Sequence, residues 1–244
     1  MIELRNVSRY YQRGADEVHA LEHVSLEIPA GRFVALMGPS GSGKSTLLNI
    51  LAGLDRPSEG QVSVAGRKLA DLSEDELAAF RAAHMGFVFQ FFNLIPVFSA
   101  RENVELPLLL THLKKAERRA RADTALRIVG LSERAGHMPS ELSGGEQQRT
   151  AIARAIVTDP EIVVGDEPTG DLDAKNAEEV LGLLRTLKQE FGKTVVIVTH
   201  DPRAERYVDE VFLLDKGVFM GSRPGGAAGA APAAPAHGAA GAHP

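Results

Sequence analysis

The chain has 244 residues, 44% of them apolar and 24% charged, with a formal net charge of −5. That is enough material for one large α/β domain with its own core, and it provides no overall positive field to draw nucleic acid. Cysteine is absent, which excludes disulfides, thiolate metal sites and cysteine nucleophiles.

Residues 1–11 carry a charge every few positions and lack an apolar h-region, so no secretion signal is expected there. Across residues 2–36 apolar and polar positions alternate (Ile2, Leu4, Val7; Val24, Leu26, Ile28), as half-exposed strands do, with turn signals at Gly14 and at Pro29-Ala30-Gly31. Phe33–Met37 begins a different pattern. It and residues 87–89, 162–164 and 195–198 are short unbroken apolar runs, the mark of strands covered on both faces in a parallel sheet. The helical stretches between them point to a doubly wound α/β core.

After the first run comes Gly38-Pro39-Ser40-Gly41-Ser42-Gly43-Lys44-Ser45-Thr46, which fits the phosphate-loop template G-x-x-x-x-G-K-[ST]. Placed between a strand and a helix, such a loop points backbone N–H groups and a helix dipole at phosphates. Lys44 would neutralise their charge and Ser45 would hold Mg²⁺. Gln90 follows the second run, and its uncharged amide suits contact with both a metal ion and water. The segment 91–96, Phe-Phe-Asn-Leu-Ile-Pro, sets apolar side chains beside it, as a partner surface would.

Residues 99–156 read as almost wholly helical, a lobe inserted into the sheet core from about residue 91. Ser99 with Glu102 and Ser143 with Glu146 have capping-box spacing, and Gly130 marks a helix stop. The dense basic run Lys114, Lys115, Arg118, Arg119, Arg121 is interrupted by Glu117 and Asp123 at helical spacing and reads as a solvated face. Within the lobe, 142–149 is Leu-Ser-Gly-Gly-Glu-Gln-Gln-Arg, a second glycine-rich loop that opens a helix.

The third run ends in Asp166-Glu167. Neighbouring side chains on a strand diverge, so the two carboxylates can take different tasks: Asp166 toward Mg²⁺, Glu167 toward the attacking water. His200 closes the fourth run at the same carboxyl edge, where α/β folds bind ligands. Residues 221–244 contain ten Ala, six Gly and four Pro, a composition that predicts a disordered tail in which His237 and His243 are solvated. No stretch approaches 18 uncharged apolar residues, so no bilayer span is expected; work at a membrane would need another polypeptide to provide it.

The ordered set of the phosphate loop, Gln90, LSGGEQQR, Asp166-Glu167, Gly170-Asp171-Leu172-Asp173 and His200 resembles the nucleotide-binding subunits of ABC transporters over residues 2 to about 219. The resemblance implies a RecA-like parallel core with an N-terminal antiparallel β subdomain and the inserted helical lobe, in a domain spanning 1–220. It implies ATP and Mg²⁺ as ligands, and two copies facing head to tail with two ATP molecules between them. Ser143, Gly144, Gly145 and Glu146 would then cap the γ-phosphate held by the other copy, and Asp173 would belong to the D-loop at that junction. Tyr11 matches the aromatic that stacks on adenine, with Tyr10 as rival. An integral membrane permease is the implied partner, nucleic acid is not, and the place of work is cytoplasmic, peripheral on the inner face of the cell membrane.

Glu146 stands where many relatives have Gln. Gly165 stands where a bulkier residue is usual, which predicts a looser strand end. The segments 90–96, 102–108 and 166–173 resemble the LolD/MacB branch, the ATPases of lipoprotein-releasing systems and macrolide exporters. The rival reading is a soluble ABC ATPase of repair or translation. Such chains usually carry two ATPase modules or coiled-coil insertions, and this one has a single module. A nucleotide kinase would gain nothing from Glu167 or LSGGEQQR.

Overall fold

The computed structural model describes residues 1–14 and 16–227. Two sheets share one domain. An antiparallel sheet has the order β2-β1-β4-β5, built from β1 (Ile2–Arg13), β2 (Asp16–Ile28), β4 (Glu59–Val64) and β5 (Arg67–Lys68). A six-stranded sheet has the order β10-β9-β3-β8-β7-β6, from β3 (Phe33–Met37), β6 (Met85–Phe89), β7 (Ile162–Asp166), β8 (Thr194–Val198), β9 (Glu210–Asp215) and β10 (Val218–Pro224). All its pairings are parallel except β9–β10.

Because side chains alternate along each strand, the large sheet feeds two cores. Phe33, Ala35, Met37, Val195 and Ile197 face one core, with helices α3 (Ala100–Glu105), α4 (Lys115–Ile128), α5 (Gly144–Ile156) and α6 (Ala174–Phe191). Val34, Leu36, Val196 and Val198 face the other, with α1 (Lys44–Leu51), α2 (Glu74–His84) and the antiparallel sheet. This two-sided burial is why the strands read as unbroken apolar runs.

The lobe between β6 and β7 is less uniformly helical than expected. Single 3₁₀ turns at Leu106–Leu110, Ser132–Arg134 and Pro139–Glu141 separate its three α-helices, the first and last with proline near their starts. Both anticipated capping boxes form, with Ser99 and Ser143 accepting from the backbone N–H of Glu102 and Glu146. Gly130, at φ +72°, follows the end of α4. The basic run is exposed apart from Arg118, whose guanidinium donates to the Leu113 carbonyl at 2.8 Å. Gly165 loosens nothing: β7 stays paired with both neighbours through Asp166, and a Cβ on Gly165 would meet the Ile197 side chain at 3.1 Å.

The expected tail boundary at residue 221 moves. β10 runs to Pro224, Arg223 pairs with Glu205 at 2.6 Å, and the N–H groups of Gly225, Gly226 and Ala227 donate to the carbonyls of Asp209, Glu205 and Val208. Ala227 is buried. His237 and His243 lie outside the described residues. Truncation after Ser222 is therefore expected to lower the melting temperature, by roughly 2–4 °C for each kcal/mol of lost contacts. The composition of 228–244 predicts no such drop for a cut after Ala227, and thermal unfolding of both truncations checks this.

Candidate active site

The carboxyl ends of β3, β7 and β8 converge on a cavity of about 710 Å³ lined by residues 38–41, 43–46, Glu167 and His200, with Val18, His19 and Ala20 of β2 on its other wall. The loop that opens it is shaped by glycines. Gly43, at φ +93°, is the N-cap of α1, and a Cβ there would collide with the Ala20 carbonyl oxygen. Only glycine adopts this backbone so close to another strand. The loop thus ends with unpaired N–H groups of α1 at the cavity.

Lys44 Nζ donates to the carbonyls of Gly38 and Pro39 at 3.0 and 2.8 Å, which holds the ammonium across the loop. Ser45 Oγ donates to Asp166 Oδ1 at 3.2 Å, linking two elements 121 residues apart. Burial pushes the Asp166 carboxyl above its usual range and the neighbouring Glu167 adds to this, against the opposing effects of Ser45 and Lys44. A hydroxyl beside a carboxylate destabilised by burial is a hard-oxygen pair suited to Mg²⁺, which keeps several waters and takes few protein ligands. Among the described residues no cluster of three or more His, Asp or Glu has metal-binding geometry, so a dication here would rely on Ser45, Asp166, water and phosphate oxygens.

Glu167 is held more tightly than its position after a strand announces. Its φ is +47°, uncommon for a residue with a Cβ, and its N–H donates to the Val198 carbonyl at 2.9 Å. His200 Nδ1 lies 2.9 Å from Glu167 Oε1, and the His200 backbone N–H donates to Oε2 at 3.4 Å. One residue thus orients both carboxylate oxygens, and the carboxylate faces the cavity.

Other expected residues sit differently. Gln90 lines none of this cavity; its Nε2 donates to Asp171 Oδ1 at 3.2 Å and its side chain packs against Gly170. Asp173 is the N-cap of α6, and hydrogen bonds from the Asn176 backbone and side chain hold its carboxyl below the usual range. Ser42 is buried and does not line the cavity; its N–H donates to the Pro39 carbonyl at 3.2 Å and its carbonyl accepts from the Gly217 N–H at 3.1 Å. Tyr11 does not line the cavity either: its hydroxyl donates to Asp55 at 2.6 Å and the Arg9 guanidinium covers its ring at 4.5 Å. Tyr10 packs instead on His19, which does line the cavity.

The 142–149 loop also lies outside the cavity lining. Ser143 exchanges hydrogen bonds with Glu146, whose carboxyl is held below its usual range by the Ser143 backbone N–H and paired with Arg134 at 3.1 Å. No local spacing singles out Arg134, which lies 12 residues before its partner.

A parallel sheet with a glycine-rich loop, Lys44, Ser45 and an acidic strand end at its carboxyl edge defines a phosphate-loop nucleotide-binding domain. The ABC transporter family profile matches residues 21–170, and the chain belongs to that family. It is 50% identical over 221 residues to an uncharacterised ABC transporter ATP-binding protein of Methanocaldococcus jannaschii, MJ0796, covering 89% of this chain and 94% of that one. It is 48% identical to the lipoprotein-releasing system ATP-binding protein LolD of Chromohalobacter salexigens, covering 89% and 92%. It is 46% identical to the macrolide export ATP-binding/permease protein MacB of Burkholderia thailandensis, covering 91% of this chain but 34% of that longer one. The solved dimeric post-hydrolysis structure of MJ0796, bound to ADP and Pi, superposes with a TM-score of 0.84 at 46% identity, over 92% of this chain and 98% of that one. These relatives place the chain near the LolD/MacB branch.

Proposed function

We propose that this chain is the ATP-hydrolysing subunit of an ABC transporter of the LolD/MacB type, working as a head-to-tail pair on the inner face of the membrane and driving a separate integral membrane permease. The observation that carries the reading is the single cavity in which Lys44, Ser45, Glu167 and His200 meet. The loop and Lys44 bind the phosphates of ATP. Ser45 and Asp166 would hold Mg²⁺, which when bound neutralises charge on the phosphate oxygens. Glu167, oriented by His200, takes the proton of the attacking water at a carboxylate oxygen. The His200 hydrogen bonds keep the carboxylate facing the cavity. The water oxygen bonds to the γ-phosphorus while the bond from that phosphorus to the ADP oxygen breaks, which gives ADP and phosphate. Phosphate release from ATP by the purified chain, abolished in Lys44→Ala, tests the hydrolytic part.

The partner surface is best read beside Gln90, with one change from the sequence expectation. Phe92 lies against Gly144 at the start of α5, whereas Ile95, its backbone N–H and carbonyl held by the Asn103 side chain, keeps its side chain exposed. The outward apolar groups here include Ile95, Val97 and Leu109 and, most usefully for a test, Phe91, 71% exposed, and Leu110, 83% exposed, the last on the rim of a cleft of about 340 Å³ that includes Phe87, Phe89 and Pro107. Exposed apolar groups around a concave surface mark a docking site. Phe91→Glu with Leu110→Glu is expected to release the subunit from membranes while the basal ATPase survives, since neither side chain supports the core. Fractionation of cells, followed by mass spectrometry of what co-purifies with the wild-type chain in detergent, checks it. Retention of the variant on membranes would move the docking site elsewhere.

A further inference from the structure

One fully buried amide joins the parts of the site that lie on different elements. Gln148, in the second turn of α5, donates from Nε2 to the Pro168 carbonyl at 2.6 Å and to the Phe89 carbonyl at 3.2 Å. Phe89 is the residue before Gln90, and Pro168 is the residue after Glu167. The amide cannot be turned the other way, because Oε1 would then face two carbonyl oxygens. In the orientation found, Oε1 is buried with no partner. A fully buried amide that spends its donors on the backbone of two other elements calls for an explanation beyond packing.

The explanation lies in what the two carbonyls flank. Glu167 holds a left-handed backbone, and a proline follows it, which further restricts its conformation. Such a residue stays in place only where its surroundings over-determine it. The Glu167 N–H is fixed by Val198 and the Pro168 carbonyl by Gln148. The same amide fixes the strand end that carries Gln90. It sits five residues along the helix capped by Ser143, so that helix is tied to both.

We infer that Gln148 is a positioning residue: its two N–H groups hold the backbone beside Gln90 and beside Glu167 in one relative placement and tie both to the start of α5. This rests on the role given above to Glu167. The test uses Gln148→Met, which keeps volume and lacks donors, and Gln148→Asn, which keeps the amide but is too short to span both carbonyls. In the full chain, kcat is expected to fall by about 10–10²-fold in both, the effect of a slightly misplaced catalytic group. ATP affinity should stay at the wild-type value, because the Lys44 loop is untouched. The melting temperature should fall by several degrees, since the Phe89 and Pro168 carbonyls lose their shared donor. Amide hydrogen exchange should quicken in residues 90–92 and 169–172 and nowhere else. Wild-type turnover, or unchanged exchange in those two segments, overturns the assignment. A fall of affinity along with turnover, or loss of fold in both variants, overturns it as well and makes Gln148 a packing residue. If the wild-type chain hydrolyses no ATP, the ATPase reading fails by itself and the exchange comparison still decides Gln148.

Discussion

Glu167→Gln is expected to lower ATP turnover by about 10²–10⁴-fold, the usual contribution of a general base, while ATP affinity stays unchanged. The substitution is nearly isosteric and leaves the backbone at the same φ of +47°, so the fold carries no new strain. The side-chain oxygen that remains still accepts a hydrogen bond from His200, now 2.9 Å from Glu167 Oε1. What disappears is the capacity to take a proton. Lys44 stays across the loop and Ser45 stays on Asp166, so the groups assigned to phosphate and Mg²⁺ are untouched. Single-turnover hydrolysis and equilibrium nucleotide binding on the same preparation separate the two effects. Near-normal turnover would show that Glu167 is not the base. A matching loss of affinity would show that it serves binding instead.

The parts of the site legible in the sequence were those whose chemistry is fixed by local spacing. The phosphate loop, the acidic strand end and the closing His200 each follow an apolar run, and a run buried on both faces is visible without knowing its neighbours. The capping boxes were legible for the same reason, since Ser143 and Glu146 need only three residues of spacing. The strands β4, β5, β9 and β10 escaped. β9 lies inside the large sheet, and its apolar run 211–214 feeds both cores, a signal of the same kind as in β3, β6, β7 and β8. β4, β5 and β10 are short or edge-like with many exposed side chains, and what defines them is a partner far away, such as Leu4 opposite Val62. The end of the fold was misplaced for a related reason. Gly225, Gly226 and Ala227 look like linker, and their order comes from carbonyls of residues 205–209 that no local pattern reveals. Tyr11 and Gln90 show the complementary limit: their residue types were right for the roles implied by resemblance, but Asp55, Arg9 and Asp171 decide where those side chains point in this structure.

A mixture of Lys44→Ala and Ser143→Arg chains is expected to hydrolyse ATP although each variant alone is nearly inactive. Within one chain the cavity around Lys44 has no lining residue from 142–149, so Ser143 can serve a phosphate only if that phosphate sits in another copy. The start of α5 is suited to this, because a helix N-terminus presents N–H groups to an anion. In a head-to-tail dimer of one variant of each kind, the missing Lys44 and the altered Ser143 fall in the same site. The opposite site keeps an intact loop and an intact cap. Random pairing makes half of the dimers mixed, each with one good site of two, which gives about a quarter of wild-type activity if sites act independently in a symmetric pair. Ser143→Arg also removes a helix cap worth about 1 kcal/mol, so its melting temperature must be measured first to show that the variant is folded. Strong coupling between sites would depress turnover but not nucleotide occlusion, so trapped nucleotide is measured beside phosphate release. If mixed dimers form and neither signal recovers, each active site is complete within one chain and the 142–149 loop has another task.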